Sequence, residues 1–268
     1  MADQEASARS KDLAHLNERI ALVTGAGDVG ACLARTLARH GAGAVGVVDL
    51  DPVRAEAAVA EIEEEGVRGL AIEADLTAPG ASAEIRRRAE ALGGPVDILV
   101  HNAGIPPNYF SSSKGLRPFA ETQPEDWAPL LKLNFEAVLA LSHEMVPSMI
   151  EQGWGRVIAI VSDSARTGDR NMAVYAAAKG GTAAFMRSLA SEVGRFGVTA
   201  NCVSLGTIWR SEEAPTEDDL RRAARDYPLA RYGSREDVAS MVTFLASDAA
   251  GWITGQVYGV DGGYTYGL

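Results

Sequence analysis

The sequence has few cysteines, no long apolar run and no excess of basic residues. Its two cysteines, Cys32 and Cys202, lie in apolar segments, which favours reduced core thiols over a disulfide or metal framework. No stretch approaches the ~20 apolar residues of a membrane span, and the polar N-terminus does not resemble a signal peptide. We therefore expect a cytoplasmic protein without a metal site and without a membrane partner.

The charge balance argues against polyanionic partners. Asp and Glu number 36 against 25 Lys and Arg, which gives a formal net charge of -11. Proteins that bind nucleic acids or anionic membranes rely on clustered basic side chains, so nucleic acid is not an expected partner. The 268 residues, 47% of them hydrophobic, suffice for the core of one large domain.

Apolar, β-branched runs alternate with helical patterns from Arg19 to the C-terminus. The runs predict seven strands, at residues 19–24, 44–49, 68–74, 96–101, 155–162, 198–204 and 255–260. Helices are predicted near residues 29–40, 52–65, 79–91, 124–151, 172–195 and 234–247. This alternation predicts a Rossmann-type, doubly wound parallel sheet with helices on both faces. No linker divides it, so we expect a single domain over residues 19–268, preceded by a flexible tail of residues 1–18.

Two long loops, residues 104–127 and 206–234, follow the fourth and sixth predicted strands. In an open parallel sheet, ligands bind at the carboxyl ends of the strands, so these loops are expected to form the walls of a substrate site. Lys114 and Arg117 in the first loop offer cations to an anionic substrate, although a solvated loop is the simpler explanation for them. Neither loop carries a motif that identifies the substrate.

A glycine pattern, T-G-A-G-D-V-G, joins the first predicted strand to the first helix. Gly25, Gly27 and Gly30 match G-x-G-x-x-G in the strand-to-helix context that a dinucleotide fingerprint requires. Glycines allow the backbone to approach a pyrophosphate, and the helix N-terminus stabilises its negative charge. Asp28 either turns outward or caps the helix, or it contacts the ligand directly.

Two carboxylates end the next two strands. Asp49 lies 19 residues after Gly30, where it can accept hydrogen bonds from the adenosine ribose and repel a 2′-phosphate. The adjacent positions lack a basic residue that would bind such a phosphate, so NAD is predicted rather than NADP. Asp75 either bonds the adenine amino group or caps the helix that follows.

Tyr175 and Lys179 are four residues apart in a predicted helix, which places both side chains on one face. An ammonium there stabilises a phenolate and lowers the pKa of the phenol from about 10 toward neutrality, which creates a general base. A solvated helix surface would show the same spacing, so the pair predicts a catalytic role only in combination with other motifs.

From about Arg19 to Tyr264 the chain resembles the short-chain dehydrogenase/reductase family. The motifs that carry the resemblance occur in the family's order: T-G-A-G-D-V-G, H-N-A-G at residues 101–104, Asn134 in L-K-L-N-F-E-A-V-L, Ser162 thirteen residues before Tyr175, Y-A-A-A-K at 175–179, and the segments V-T-A-N-C-V-S-L-G and D-G-G. The ordered spacing excludes a chance match.

The resemblance implies roles for four catalytic residues. Tyr175 exchanges the proton with the substrate oxygen, Ser162 hydrogen-bonds that oxygen, and Lys179 binds the nicotinamide ribose and tunes Tyr175. Asn134 holds a water molecule that relays protons outward. Ser164 competes with Ser162 for its role, but the spacing to Tyr175 favours Ser162.

The chain departs from the family pattern at three places. Its glycine motif is one residue shorter than the usual T-G-x-x-x-G-x-G, Leu205 replaces a proline, and residues 209–211 lie where a threonine often contacts the carboxamide. The residues expected to bind the cofactor are Gly25, Gly27, Asp28, Val29, Gly30, Asp49, Leu50, Ala74, Asp75, Leu76, Asn102, Ala103, Gly104, Tyr175, Lys179, Gly206, Thr207 and Ile208.

Together, these motifs predict an NAD(H)-dependent oxidoreductase that interconverts a secondary alcohol and its ketone, and the resemblance to the family implies a homotetramer. Two alternatives stay open. One is a dehydrogenase or reductase of a CoA-linked hydroxyacyl or ketoacyl thioester, since the Ser-Asp-Ser-Ala-Arg run at residues 162–166 resembles enzymes of that kind. The other is a noncatalytic NAD-binding protein on the same fold.

Overall fold

A computed structural model describes residues 13–104, 117–209 and 213–266. Its described part contains a seven-stranded sheet in which every neighbouring pair is parallel, in the order β3-β2-β1-β4-β5-β6-β7. The strands are β1 Ile20–Thr24, β2 Ala44–Asp49, β3 Arg68–Glu73, β4 Ile98–His101, β5 Gly155–Ser162, β6 Val198–Leu205 and β7 Val257–Val260. The predicted doubly wound parallel sheet is thus confirmed.

Helices cover both faces of this sheet. They are α1 Asp28–Arg39, α2 Pro52–Glu64, α3 Ala81–Ala89, α4 Pro124–Leu131, α5 Ala137–Gln152, α6 Ser164–Thr167, α7 Ala173–Val193, α8 Glu217–Asp226 and α9 Arg235–Ala246. The apolar sides of α1, α2 and α9 form one core cluster, and those of α3, α5 and α7 form the other. Strand residues alternate between the two, so Ala21 and Val23 join the first cluster and Leu22 the second.

The helix predicted over residues 124–151 is interrupted in the structure. A π-helical turn, Lys132–Glu136, separates α4 from α5. At its centre the side-chain amide of Asn134 donates to the carbonyl of Leu130 at 3.1 Å, the acceptor that its main-chain N–H would use in an α-helix. A single π-helical turn has no residue signature of its own, which is why the sequence pattern does not reveal it.

Helix α8 lies in the second long loop, where no helix is predicted. It begins with a capping box in which Thr216 accepts from the amide of Asp219 and the Asp219 carboxylate accepts from the amide of Thr216. Its apolar side is short: Leu220, Ala223 and Ala224 are the apolar residues of this helix, and Ala223 is the buried one, so the apolar pattern is easily missed in a charged segment. The capping-box pattern is the sequence signal that could have revealed it.

The packed part of the chain begins earlier than predicted. The sequence predicts a flexible tail up to residue 18, yet Leu16 is 1% exposed and belongs to the first core cluster. The amide of Leu16 donates to His40 at 2.7 Å, and the amide of Glu18 donates to Gly41 at 2.8 Å. Residues 1–12 of the predicted tail lie outside the described residues.

The glycine turn between β1 and α1 has separate requirements at its three glycines. Gly25 has a φ of +81°, and a Cβ there would lie 3.0 Å from the Cα of Ala103. A Cβ on Gly30 would lie 1.7 Å from the carbonyl oxygen of Gly25, so the helix packs directly on the turn. Gly27 meets nothing within 4 Å. Gly25 and Gly30 therefore serve the fold, whereas Gly27 leaves the backbone open to a ligand.

Within the described residues, no helix has both the length and the apolar character needed to cross a bilayer.

Alanine substitutions at two glycines test this division. Gly30→Ala should lower the free energy of unfolding by ~2 kcal/mol or more, because the new methyl group displaces the Gly25 carbonyl. Gly27→Ala is the matched control and should stay within ~0.5 kcal/mol of wild type. Chemical denaturation of the unliganded protein measures both. Equal losses in the two variants would contradict the packing described here.

Candidate active site

A cavity of about 840 Å³ opens at the carboxyl edge of the sheet. This volume lies in the range of small-molecule and cofactor sites. The cavity brings together most of the residues that the sequence predicts for the site, namely Gly25, Gly27, Asp28, Val29, Gly30, Asp49, Leu50, Ala74, Asp75, Leu76, Asn102, Ala103, Gly104, Ser162, Tyr175, Lys179, Gly206 and Ile208. Asn134 and Thr207 do not line it.

Asn102 joins the end of β4 to the glycine turn. Its side-chain amide donates to the carbonyls of Thr24 and Gly25 at 3.1 and 3.0 Å. The main-chain amides of Asn102 and Ala103 both donate to the Thr24 hydroxyl, at 3.1 and 3.2 Å. These bonds fix the position of the turn from beneath, so the side chain of Asn102 acts on the site through the turn.

Asp49 connects the end of β2 to the same turn. One carboxylate oxygen accepts from the amide of Ala26 at 2.6 Å, and the other accepts from the amide of Asp51 at 2.8 Å. An ionised carboxylate has about four acceptor sites, so two bonds leave room for the hydroxyls of a ribose. Asp49 can therefore stabilise the glycine turn and bind a ligand at the same time.

Arg54 also lines the cavity, and the sequence argument missed it. That argument considered only the positions adjacent to Asp49, whereas the first turn of α2 brings a residue five positions later to the same place. The guanidinium is 61% exposed and lies 3.4 Å from the carboxylate of Asp51. The positions adjacent to Asp49 do lack a basic residue, but the sequence argument for NAD left out Arg54 in the wall of the same cavity.

The other two acidic residues of the cofactor region lie at exposed positions. One Asp75 oxygen accepts from the amide and the hydroxyl of Thr77, at 2.8 and 2.7 Å, which closes the turn before α3. Asp28 is the first residue of α1 and makes no capping hydrogen bond, so its charge faces solvent at the positive end of the helix dipole.

Tyr175 and Lys179 share one face of α7, as their spacing predicts. Lys179 is 4% exposed, and its ammonium donates to the carbonyl of Ile160 at 2.7 Å. Its nitrogen lies 5.9 Å from the centre of the Tyr175 ring. Burial lowers the pKa of Lys179 to about 8, because the low-dielectric interior disfavours the charged form.

Asn134 lies beneath the site and is completely buried. Its carbonyl oxygen Oδ1 accepts no hydrogen bond from any of the residues that the structure describes, which is unusual for a buried polar atom. A Cβ on Gly104 would lie 2.8 Å from this oxygen and also 2.8 Å from the Lys179 nitrogen. Glycine at position 104 therefore preserves a small polar space between the amide and the ammonium.

The two serines after β5 differ in access. Ser162 lines the cavity, whereas Ser164 is 2% exposed and does not. The hydroxyl of Ser164 donates to the hydroxyl of Ser162 at 3.0 Å, which leaves the Ser162 proton available for a ligand. Access and hydrogen-bond direction favour Ser162 as the residue that faces a substrate.

The segment after β6 is held by an aromatic side chain that the sequence did not single out. The Tyr227 hydroxyl donates to the Thr207 hydroxyl at 2.7 Å and accepts from the Thr207 amide at 3.1 Å. Thr207 is thereby turned away from the cavity, which Gly206 and Ile208 line on either side. Of residues 209–211, Arg210 and Ser211 lie outside the described residues.

A second, small pocket lies on the far side of Tyr175. Arg117 lines it and forms an ion pair with Asp126 at 2.6 Å, beside the stacked rings of Phe119 and Trp127. The cation proposed for an anionic substrate is therefore already paired within the protein. Lys114, its predicted companion, lies outside the described residues.

The chain is similar to known proteins along nearly its whole length. The family profile described as Enoyl-(Acyl carrier protein) reductase matches residues 25–265. Nodulation protein G of Azospirillum brasilense is 32% identical over 255 residues, which cover 94% of this chain and 100% of that protein. The 3-oxoacyl-(acyl-carrier-protein) reductase FabG of Escherichia coli strain K12 is 34% identical over 247 residues, 91% of this chain and 96% of that protein.

A solved structure shows the same architecture. The 7α-hydroxysteroid dehydrogenase complexed with NADH and 7-oxo glycochenodeoxycholic acid superposes with a TM-score of 0.85 and 29% identity, over 95% of this chain and 97% of that one. The shared profile, the relatives and the order of the motifs agree along nearly the whole chain. The protein therefore belongs to the short-chain dehydrogenase/reductase family of oxidoreductases.

Proposed function

We propose that this protein is an NAD(H)-dependent oxidoreductase that interconverts a secondary alcohol and its ketone, with Tyr175 as the acid/base. The observation that carries the proposal is the shared cavity. The side chains of Ser162, Tyr175 and Lys179 line the same space as the glycine turn. Proton transfer and hydride transfer must occur on adjacent atoms of a substrate, so both kinds of group are needed at one place.

The described residues fit a nicotinamide dinucleotide. The open backbone at Gly27 and the N-terminus of α1 suit a pyrophosphate, and Asp49 keeps free acceptor sites for a ribose. The ammonium of Lys179 makes one hydrogen bond, to Ile160, and can donate others to the second ribose. When bound, the nicotinamide ring supplies or accepts the hydride, and the protein contributes orientation and proton transfer.

Tyr175 and Ser162 act on the substrate oxygen in this proposal. In alcohol oxidation the Tyr175 phenolate accepts the hydroxyl proton, and in ketone reduction the phenol returns it. The Ser162 hydroxyl, whose oxygen already accepts from Ser164, donates to the same substrate oxygen and holds it in place. The positive charge of Lys179 stabilises the phenolate.

Asn134 and Lys179 provide a route for the proton. The unpaired Oδ1 of Asn134 and the ammonium both border the space that Gly104 preserves. A water molecule bonded to both groups fits the polarity of this space. The proton from Tyr175 then moves through Lys179 and this water toward solvent.

The preference for NAD over NADP depends on two side chains with opposite charges. Asp49 repels a 2′-phosphate, whereas Arg54 at the cavity wall attracts one. We favour NAD because Asp49 is fixed by two main-chain amides, whereas Arg54 is exposed and lies close to Asp51. A carboxylate fixed by main-chain amides discriminates more strongly than an exposed guanidinium whose charge is partly offset by a neighbouring carboxylate.

A thioester substrate is the main alternative, and the relative named as a 3-oxoacyl-(acyl-carrier-protein) reductase supports it directly. Parallel assays of a simple alcohol and ketone series and of hydroxyacyl- and ketoacyl-CoA thioesters separate the two. A noncatalytic NAD-binding protein stays the second alternative, and a protein that binds NAD(H) but turns over neither series would support it.

The proposal extends to domain organisation, location and assembly. The packed chain from Leu16 onward acts as one catalytic domain in a cytoplasmic protein, in keeping with the free thiols of Cys32 and Cys202. Four copies assemble as a homotetramer. The fully exposed Trp252 lies close in sequence to β7, which forms one edge of the described sheet and whose residues are not fully buried. Such surfaces are suited to pair with a second copy.

Tyr175→Phe should lower kcat at least ~100-fold on an alcohol identified by the screen, because only the acid/base oxygen is removed. Folding and NAD(H) binding should be preserved. Lys179→Met should lower kcat and also weaken cofactor binding, since its ammonium is proposed to serve both the phenol and the ribose. Steady-state kinetics and fluorescence titration measure these effects. A Tyr175→Phe protein with more than about a tenth of wild-type kcat would refute the assignment.

The wild-type protein should use NAD over NADP by at least ~10-fold in kcat/KM, which corresponds to ~1.4 kcal/mol. Asp49→Asn should reduce this preference, because the repelling charge is lost while an oxygen remains for the amide of Ala26. Arg54→Gln is the matched control and should leave the preference the same or larger. Equal use of the two cofactors by the wild type would overturn the prediction.

Light scattering coupled to size-exclusion chromatography should give a mass about four times that of one chain. The mass should fall at low protein concentration if the association is reversible. A monomer at every concentration tested would show that the exposed apolar residues near β7 have another purpose.

A further inference from the structure

The carboxyl group of Asp163, next to Ser162 in the chain, has no role in the chemistry proposed above, yet it is buried beneath the site. Asp163 is 2% exposed. Its Oδ1 accepts from the hydroxyl of Ser204, and the Arg166 guanidinium lies 3.7 Å from this oxygen. Its other oxygen, Oδ2, is buried and receives no hydrogen bond from any described donor. An ionised carboxylate oxygen that is buried without a hydrogen-bond donor destabilises the folded protein. Whether Asp163 is ionised therefore depends on the group next to this oxygen.

That neighbour is the carboxyl group of Asp261, which follows β7. Ser162 pairs with Leu205 and Leu205 with Val260, so Asp163 and Asp261 follow the ends of strands on either side of β6, with Gly206 between them. Gly206 has no side chain, and each of the two carboxyl groups acts on the pKa of the other, which places them beside each other across this glycine. The Asp261 carboxylate already accepts from the amides of Gly263 and Thr265, both at 3.0 Å, and from the Thr265 hydroxyl at 2.6 Å. Ionised carboxylates only accept hydrogen bonds, so two of them can bond each other only by sharing a proton.

We propose that Asp163 and Asp261 share a single proton, carried by Asp163, and that this bond makes Asp163 a positioning residue that fastens the Ser162 turn to the C-terminal segment. Asp163 is the donor because Asp261 has three donors that stabilise its charge. Asp163 has the Ser204 hydroxyl and a more distant guanidinium.

Charge and burial agree with this assignment. Burial raises the pKa of Asp163 to about 6. Burial acts in the same direction on Asp261, but the hydrogen bonds from Thr265 and Gly263 outweigh it and lower the pKa of that carboxyl group. Besides Asp261, the ionisable groups that face Asp163 are Arg166 and the phenol of Tyr264, whose own pKa is raised by Asp169 first and by Asp163 in smaller part.

The shared proton connects two walls of the cavity. Asp163 is bonded to Ser162, and its main-chain oxygen accepts from the amides of Arg166 and Thr167 at 2.7 and 2.8 Å, which forms α6. On the other side, a Cβ on Gly206 would lie 3.1 Å from the Cα of Asp261. The bond therefore sets the distance between the serine and the segment after β6, and Asp163 acts through Ser162 rather than on a substrate.

The direction of the pH effect follows from the raised pKa. An unfolded chain releases the Asp163 proton near 3.8, whereas the folded protein keeps it to about 6. The folded state thus binds more protons between these values, and the contribution of Asp163 to stability falls as pH rises through that window. Above it, the pair carries two buried negative charges and the link is weakened.

Asp163→Asn tests the link without a substrate. An amide can donate to Asp261 and accept from Ser204 at every pH, so it imitates the protonated acid permanently. The difference between the thermal unfolding midpoints of Asp163→Asn and wild type should grow by roughly 4 °C or more between pH 4 and pH 7.5. Other titrating groups cancel in this difference. A difference that is independent of pH would overturn the proposal.

Asp261→Asn is the matched control for the identity of the donor. Its amide nitrogen cannot accept, so this variant must give up a hydrogen bond from Gly263 or Thr265, and its midpoint should lie below that of Asp163→Asn at each pH. Relief of simple repulsion between two carboxylates would instead raise both midpoints equally. If the Asp261→Asn protein were as stable as Asp163→Asn, the shared proton would not reside on Asp163 and the proposed donor would be wrong.

Turnover gives the positioning readout once a substrate is known. Asp163→Ala should lower kcat by ~10-fold, because the Ser162 turn loses its anchor, and Asp163→Asn should recover most of this loss at pH 7.5. An alanine variant that folds and keeps full kcat would show that Asp163 does not position Ser162 for catalysis. The unfolding experiments need no activity, so they hold or fail independently of the function proposed above.

Discussion

The reversal of strand order between β1 and β4 is the constraint on which the site depends. From β1 the sheet grows one way through β2 and β3, and then the other way from β4 to β7. The helices α1 and α2, which follow β1 and β2, lie on one face, and α5 and α7, which follow β4 and β5, lie on the other, so a crevice opens between the carboxyl ends of β1 and β4. The glycine turn and Asn102 close the bottom of this crevice, and every other group of the site is placed relative to it.

Sequence reasoning succeeded where a residue is required by backbone geometry or by helical spacing. The strands, the glycine turn and the Tyr175 and Lys179 pair follow from local patterns, and the structure places the pair on one face of α7 as expected. It failed where a contact depends on the three-dimensional path of the chain. Arg54 reaches the cavity through the first turn of α2, and Tyr227 contacts Thr207 from a loop 20 residues later. No local sequence pattern predicts either contact.

Buried polar groups around the site are held in different charge states by the same low dielectric. Desolvation lowers the pKa of His101 to about 3, with a smaller effect from Lys179, and keeps this imidazole neutral beside the hydroxyl of Ser142. Lys179 keeps a hydrogen bond to a carbonyl and a higher pKa, near 8. The interior of the protein therefore admits one cation at the place where proton transfer is proposed and excludes a second one nearby.

The π-helical turn at Lys132–Glu136 lets the continuous helical segment α4–α5 present side chains both to the core and to the site. Each residue of an α-helix turns the chain by about 100°, so a single inserted residue rotates everything before it relative to everything after it by that angle. Leu141, Met145 and Met149 in α5 face the core, while Asn134 faces the amide-lined space beneath the cavity. Loss of one residue from this turn would leave the helix intact and its apolar side buried, yet it would swing Asn134 out of reach of Lys179. The extra residue of the π-helical turn thus lets one side of the helix pack against the core while Asn134 points toward the proposed site of proton transfer.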